Sequence, residues 1–310
     1  MTDTFLGIEI GGSKLQLVAG SGEGVIRERR RFTVDAAGGG AAIRAQIAAT
    51  LRGWIPTLRP AAVAVGFGGP ADWRAGRIAR SHQVEGWSDF ALGDWLRPLC
   101  GVPVIMENDA NTAALGEALR GAGRGANPVF YVTLGSGVGG GLVVDGRIYH
   151  GAKPGEAEIG HVRLDRTGII VEERCSGWAV DGKVREAIRR EPVGVLAKFV
   201  GAATSGEARF LAPALAQGHE EATAILREVA EDLALALSHV THLFHPEVIV
   251  LGGGLSLVGE PLRAAVASAL RGFVMGVFAP GPRVELAALG EDAVPVGALL
   301  LAAKAASAEA

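Results

Sequence analysis

The sequence has few of the features that mark secreted, membrane-embedded or nucleic-acid-binding proteins. Its 310 residues include 2 cysteines, Cys100 and Cys175, which lie far apart, so neither a disulfide scaffold nor a cysteine-rich metal site is expected. The net charge is −3 and no basic block stands out, which argues against nucleic-acid binding. No apolar run is long enough to cross a bilayer, so no membrane association is expected. The first residues show neither a basic segment nor an apolar signal core, and the expected location is the cytoplasm.

Glycine, by contrast, is abundant, with 46 residues that gather in clusters after short apolar runs. Apolar residues make up 49% of the chain, and its length is enough for two domains with cores of their own. Each half opens with a strand, a glycine turn, a second strand, a turn and a third strand, starting at Phe5 and at Val129. We therefore expect two α/β lobes, 1–120 and 121–310, in a weak architectural repeat.

Residues 11–14, Gly-Gly-Ser-Lys, form the first glycine turn, between the apolar runs 5–10 and 15–19. Glycine lets backbone N–H groups approach an anion closely, Ser13 can donate a hydroxyl, and Lys14 adds positive charge. Glu9, on the preceding strand, could hold Mg²⁺ through water. The turn is therefore either a phosphate-binding hairpin or an ordinary hairpin with an exposed lysine.

The second glycine turn, residues 135–141, contains the spacing G-x-G-x-x-G that is typical of dinucleotide-binding proteins. That fingerprint requires a helix directly after the glycines, with its N-terminus at the pyrophosphate. Here a strand is predicted over 142–144, and a tight turn follows at Asp145-Gly146. The pattern therefore argues against a dinucleotide site and favours a second phosphate-binding hairpin.

The run Val-Ile-Met-Glu-Asn-Asp-Ala-Asn, residues 104–111, places two carboxylates and two amides between an apolar strand and a predicted helix over 112–119. A carboxylate held at a strand end can take a proton from a bound hydroxyl, and neighbouring amides can orient that hydroxyl. Asn108 or Asp109 could equally cap the helix. Local pattern leaves both roles open.

Residues 155–161, Gly-Glu-Ala-Glu-Ile-Gly-His, combine carboxylates, backbone amides and an imidazole in one loop. Sugar hydroxyls both donate and accept hydrogen bonds, and one carboxylate can accept two of them. The loop therefore suits a sugar, although His161 could be a purely structural histidine. Gly252-Gly253-Gly254, after the apolar run 248–251, could let a nucleotide base and ribose lie against the backbone.

Taken together, these segments resemble the ROK family of sugar kinases and related repressors over nearly the whole chain. The matching segments are 6–14 and 133–141 (phosphate motifs), 107–111 (catalytic motif), 158–161 (sugar loop) and 245–254 (adenosine side). The resemblance implies the actin-like, ribonuclease-H-like α/β fold, with two lobes around a cleft that holds the substrates. It also allows the last helix, predicted from about 296, to pack back on the N-terminal lobe.

The resemblance implies residue roles as well. Asp109 would be the base that takes the proton of the sugar hydroxyl attacking the γ-phosphate of ATP. The residues implied to bind the sugar are Gly68, Gly69, Asn108, Glu158 and His161, with Glu172 added by an alignment that crosses a deletion. Those implied to bind ATP and Mg²⁺ are Glu9, Gly11, Gly12, Ser13, Lys14, Thr133, Gly135, Ser136, Gly137, Gly139, Gly253 and Gly254.

Three departures from the family pattern stand out. The usual aspartate of the first motif is Glu9, which keeps the charge but adds a methylene, and the usual threonine is Ser13. The cysteine-rich zinc segment that follows the sugar-loop histidine is replaced by a shorter stretch with Cys175 as its one cysteine. Since a tetrahedral site needs four ligands, we expect no structural zinc.

The expected activity is therefore ATP- and Mg²⁺-dependent phosphorylation of a hexose such as glucose, by a protein that the resemblance implies is a homodimer. Fructose, mannose and N-acetylhexosamines remain alternative substrates, because pocket shape decides among them. Polyphosphate remains an alternative donor, and a sugar sensor without catalysis remains an alternative function. A DNA-binding repressor is disfavoured, because the first phosphate motif begins too early for a preceding helix-turn-helix.

Overall fold

The structure of the protein is a computed structural model, which describes residues 3–12, 14–79, 85–152 and 157–309. The strands are β1 (Thr4–Ile10), β2 (Lys14–Ser21), β3 (Ile26–Thr33), β4 (Ala62–Phe67), β5 (Ala71–Asp72), β6 (Arg77–Ile78), β7 (Val104–Asn108), β8 (Val129–Leu134), β9 (Val138–Val144), β10 (Arg147–Ile148), β11 (Val248–Gly252) and β12 (Arg283–Leu286). The helices are α1 (Gly39–Leu58), α2 (Leu92–Cys100), α3 (Asp109–Arg120), α4 (Val171–Cys175), α5 (Gly177–Arg190), α6 (Val195–Val200), α7 (Leu211–Ala216), α8 (Glu220–Phe244), α9 (Glu260–Phe273) and α10 (Ala293–Glu309).

The chain divides into two compact units. Unit 1 comprises Met1–Arg124, Gly141–Ala157 and Glu291–Ala310, and unit 2 comprises Gly125–Gly140 and Glu158–Gly290. Within the described residues, the strands form two five-stranded sheets, ordered β3-β2-β1-β4-β7 and β10-β9-β8-β11-β12, and the small hairpin β5-β6. Each sheet combines an antiparallel hairpin with parallel strands, as expected for α/β lobes.

Unit 1 is built around the first sheet, in which β1, β4 and β7 run parallel and β2 and β3 are antiparallel neighbours. Alternate residues of β1 and β4, such as Ile8 and Val65, point to a core that α1 and α2 cover. Phe5, Ala62 and Ala64 point to the opposite face, where α10 packs with Ala298 and Leu299. Because both faces are covered, β4 is buried along its whole length, and it reads as a continuous apolar run.

Unit 2 repeats this architecture with β8, β11 and β12, which run parallel. Its longest helix, α8, buries an apolar stripe that includes Ile225, Val229, Leu233 and Leu237. α8 packs against α9, α4 and α5. None of the described helices is long and apolar enough to span a membrane.

The second glycine turn is shorter than predicted. The sequence indicated a turn over 135–141, whereas β9 begins at Val138 and carries three of the glycines. A Cβ atom added at Gly141 would lie 2.6 Å from the Cβ of Ala114 and 2.9 Å from the carbonyl oxygen of Ala110. The glycine therefore serves the close packing of β9 on α3 as well as turn formation.

Candidate active site

The acidic cluster lies where β7 ends and α3 begins. Asn108 is the N-cap of α3, because its side-chain oxygen accepts a hydrogen bond from the backbone N–H of Asn111 at 3.1 Å. Its side-chain amide donates to the carbonyl oxygen of Gly69 at 3.2 Å. Asp109 is the first helical residue, and its Oδ1 accepts the N–H of Ala110 at 2.8 Å. Of the two candidate caps, the structure selects Asn108 and leaves Asp109 half-buried at the positive end of the helix dipole.

The carboxylate of Asp109 lies beside the segment that follows β4 and beside the first glycine turn. A Cβ atom added at Gly68 would lie 3.2 Å from Asp109 Oδ2, 3.2 Å from the carbonyl oxygen of Ile10 and 3.4 Å from the Cα of Gly11. The N–H of Gly68 donates to that carbonyl of Ile10 at 2.8 Å. The carboxyl ends of three parallel strands thus bring together Asp109, Gly68 and Gly11. The sequence analysis had predicted site roles for these three residues in separate segments.

The first glycine turn closes through a hydrogen bond from the N–H of Gly11 to the carbonyl oxygen of Lys14, at 2.8 Å. Ser13 lies outside the described residues. The carboxylate of Glu9 lies 3.1 Å from the Lys14 ammonium, and it accepts a hydrogen bond from the Gln16 amide. Burial raises the pKa of Glu9, and the charge of Lys14 opposes that rise. A half-buried carboxylate next to a glycine turn is a hard oxygen donor of the kind that Mg²⁺ prefers.

Unit 2 contains the second glycine turn, which α4 and α5 hold in place. The N–H of Gly135 donates to Gly137 at 2.9 Å, and the N–H of Gly177, at the start of α5, donates to the carbonyl oxygen of Gly135 at 2.7 Å. Glu172 of α4 accepts the N–H of Val138 at 2.9 Å. A Cβ atom added at Gly137 would lie 2.4 Å from the Glu172 carboxylate. Glu172, predicted to bind the sugar, is thus in direct contact with the second glycine turn.

The described part of the sugar loop also packs on this hairpin. Glu158 directly precedes a short 3₁₀ helix, Ile159–His161, which ends with His161, and both Glu158 and His161 are exposed. A Cβ atom added at Gly160 would lie 2.1 Å from the carbonyl oxygen of Val138, so the loop backbone touches the start of β9. Glu158 and His161 therefore project from a loop that is anchored to the second glycine turn.

Gly253 belongs to the segment that is predicted to bind the adenosine part of ATP, and it lies against the end of β8 in unit 2. It follows β11 in a left-handed conformation, with φ of 79°. A Cβ atom added there would lie 2.5 Å from the backbone nitrogen of Leu134, at the end of β8. A side chain here would be strained by the positive φ and would collide with the backbone of Leu134. This position therefore requires glycine. At Gly254, an added Cβ atom would meet no described atom within 4 Å.

Comparison with known proteins decides the family. Residues 5–305 match the ROK family. The chain belongs to the ROK family. It is 30% identical to a glucokinase of Thermotoga maritima over 302 residues, which cover 94% of this chain and 95% of that protein.

Among solved structures, a ROK family glucokinase from Streptomyces griseus in complex with glucose and AMPPNP is 29% identical, with a TM-score of 0.84 and coverage of 97% of this chain and 99% of that one. A ROK hexokinase from Thermus thermophilus is 27% identical, with a TM-score of 0.80 and coverage of 98% and 99%. The predicted family and the predicted actin-like α/β fold are confirmed.

In this ROK chain, the stretch between the sugar loop and α4 is a short hairpin. The backbone N–H of Val171 donates to the carbonyl oxygen of Val162 at 3.0 Å, and that of Leu164 donates to the carbonyl oxygen of Ile169 at 2.8 Å. Cys175 is fully buried in α4, and its burial raises the pKa of the thiol to about 12. Within the described ranges, no group of three or more histidine, cysteine, aspartate or glutamate side chains is arranged to hold a metal ion. The expected lack of zinc stays a prediction.

In this ROK protein, Glu107, the first residue of the 107–111 motif, is linked to two residues outside the predicted motifs, His150 and Trp73. Glu107 is buried at the end of β7, and its carboxylate contacts the imidazole of His150. Trp73 stacks on that imidazole, with ring centroids 4.1 Å apart. Glu107 belongs to the recognised motif, but no local pattern links it to residues that are 34 and 43 positions away.

Proposed function

We propose that this protein transfers the γ-phosphoryl group of ATP to a hydroxyl of a hexose, with glucose as the first candidate and Asp109 as the general base. That it is a sugar kinase rests on its membership of the ROK family and on its glucokinase relatives. The observation that carries the finer proposal is the convergence of the Asp109 carboxylate with Gly68 and Gly11 at the carboxyl ends of three parallel strands.

The position of Asp109 suits proton removal. Its Oδ1 accepts a hydrogen bond from the N–H of Ala110, and its Oδ2 faces Gly68, which follows β4. A hydroxyl held beside Gly68 and Gly69 would be within reach of that second oxygen. Phosphoryl transfer depends mainly on positioning and on neutralising charge, and a base adds to these by taking the hydroxyl proton as the oxygen attacks.

Each unit has a glycine turn that suits part of a nucleotide. Backbone N–H groups of the first turn and the Lys14 ammonium suit phosphate oxygens, and in unit 2 Ser136 and the segment at Gly253 suit the rest of ATP. Mg²⁺ would be held near Glu9, directly or through water, where it would neutralise phosphate charge. The sugar would be bound by Asn108 and by Glu158 and His161 of the sugar loop.

An ADP-release assay with ATP and Mg²⁺ over glucose, mannose, fructose, N-acetylglucosamine and N-acetylmannosamine tests the proposal. We expect turnover on glucose, and we expect Asp109→Asn to lower kcat by about 10²- to 10⁴-fold, since the amide keeps the shape but cannot accept the proton. The matched control is Asp94→Asn, which removes an exposed carboxylate from the first turn of α2 in the same unit. It should leave kcat unchanged.

Each negative result has a distinct meaning. No turnover with ATP, but turnover with polyphosphate, would overturn the assigned donor. Sugar binding in a thermal-shift experiment without turnover by any donor would favour the sensor. Full activity of Asp109→Asn would overturn the assigned base. Light scattering tests the homodimer that the resemblance implies.

A further inference from the structure

Glu107 precedes the proposed sugar ligand and base, and its buried carboxylate has no part in the reaction as proposed. The residue is 3% exposed. Its Oε1 accepts the N–H of Asn108 at 2.9 Å and the side-chain amide of Asn111 at 3.2 Å. Both partners belong to the N-terminal end of α3, so Glu107 holds the start of the helix that carries Asp109.

The second oxygen of this carboxylate is held by His150. The imidazole Nε2 lies 2.5 Å from Glu107 Oε2, and the two side chains are 19% and 4% exposed. An ionised carboxylate can only accept, so the imidazole donates. Hydrogen bonds to ionised groups are stronger than those between neutral ones, and a buried carboxylate that loses a donor is costly. The pair therefore links the end of β7, where α3 begins, to the segment after β10.

Aromatic packing sets the plane of the imidazole. The rings of Trp73 and His150 are stacked, with centroids 4.1 Å apart and an angle of 21° between them. Trp73 lies between β5 and β6, and the guanidinium carbon of Arg74 lies 4.8 Å from its ring centroid. β10, which ends two residues before His150, packs against α3. The ring thus has one edge on Glu107 and one face on Trp73, which leaves it little freedom to turn.

We propose that His150 is a positioning residue for phosphoryl transfer. Through Glu107 it keeps Asn108 and the first turn of α3 in the orientation that Asp109 needs as a base. The inference rests on the proposed function of Asp109, which directly follows the cap. A small rotation of the Asn108 cap therefore moves the carboxylate of Asp109 relative to Gly68. A displacement on the order of 1 Å can cost about a factor of 100 in rate.

The chain offers a set of matched variants. His150→Phe keeps a ring for stacking on Trp73 but cannot donate to Glu107, whereas His150→Gln loses the ring and keeps a donor. His242→Gln is the control, because His242 also makes one hydrogen bond through Nε2, from the N–H of Met275 at 3.1 Å, but lies in unit 2.

We expect His150→Phe to lower kcat by about 10- to 100-fold. KM for ATP should stay within about threefold, because the nucleotide contacts are untouched. His150→Gln should recover part of the loss, and the control should match the wild type. In a Glu107→Ala background, His150→Phe should lower kcat no further, since each change breaks the same link. A residue with only a structural role would lower the melting temperature and leave the rate per folded molecule unchanged.

Hydrogen exchange measured by mass spectrometry tests the positioning step without turnover. Peptides that cover 107–115 should exchange at least several-fold faster in His150→Phe than in the wild type, and peptides from α8 should not change. Unchanged exchange at the start of α3, or full kcat of His150→Phe, would overturn the inference. Absence of turnover by the wild type would instead overturn the kinase proposal, and the exchange result would still decide whether His150 holds α3.

Discussion

Asn108 is predicted to have two roles, and two substitutions separate them. Its side chain caps α3 through the N–H of Asn111 and donates to the carbonyl of Gly69. Loss of an N-cap costs about 1 kcal/mol. Loss of one further hydrogen bond to a partly exposed carbonyl costs about 1 kcal/mol. Asn108→Ala should therefore lower the free energy of unfolding by about 2 kcal/mol, a large share of a total that is about 5–15 kcal/mol for most proteins.

Asn108→Ser keeps a capping oxygen and loses only the amide, so it should cost about 1 kcal/mol. Urea unfolding followed by tryptophan fluorescence measures both values. This signal reports mainly on unit 1, because that unit holds Trp54, Trp73, Trp87 and Trp95 of the 5 tryptophans. If Asn108→Ala is destabilised by less than about 0.5 kcal/mol, the capping role is refuted.

Sugar affinity then separates capping from binding. If Asn108 binds the sugar, both variants raise KM for glucose by about 10-fold or more, because a site built to hydrogen-bond a hydroxyl loses that partner in each. If it only caps α3, the serine variant should keep a wild-type KM. A wild-type KM in both variants would remove Asn108 from the sugar site.

The remaining predictions concern a glycine, a glutamate and the two cysteines. Gly68→Ala should lower kcat by about 10- to 100-fold by displacing the neighbouring carboxylate, whereas Gly53→Ala in α1, where an added Cβ meets nothing within 4 Å, should leave kcat unchanged and stabilise the fold by up to about 1 kcal/mol. Glu172→Gln should keep wild-type KM for ATP and Glu172→Ala should raise it, because only the glutamine can still accept the hairpin N–H; equal KM values would refute the hairpin role. Burial raises the pKa of Cys100 to about 11 and of Cys175 to about 12, so stability gained from the neutral thiols is present below pH 9 and is lost as the pH rises through those values. Native protein at pH 8 should not react with iodoacetamide, and rapid labelling without denaturant would contradict this.

Most of the secondary structure near the site could be read from local pattern. The two strands predicted on either side of the first glycine turn, the strand that runs into the acidic cluster and the helix predicted over 112–119 are all present, as β1, β2, β7 and α3. They were predictable because apolar runs, glycine turns and helical periodicity act over a few residues. The helix over 260–273 and the strand over 283–286 were not predicted, although α9 carries Pro261 in its first turn as a start signal.

The sequence by itself determined the family, the fold class and the candidate residues, because each motif is a short segment whose chemistry is carried by neighbours in the chain. Tertiary structure decided how they meet. The approach of Gly68 to Asp109, the contact of Glu172 with the second glycine turn and the His150–Glu107 link all join residues that are 34 to 43 positions apart. Such contacts depend on strand order and on helix packing, which are determined by burial of apolar residues over the whole unit. The contacts therefore leave no periodic pattern in the sequence of the segments that they join.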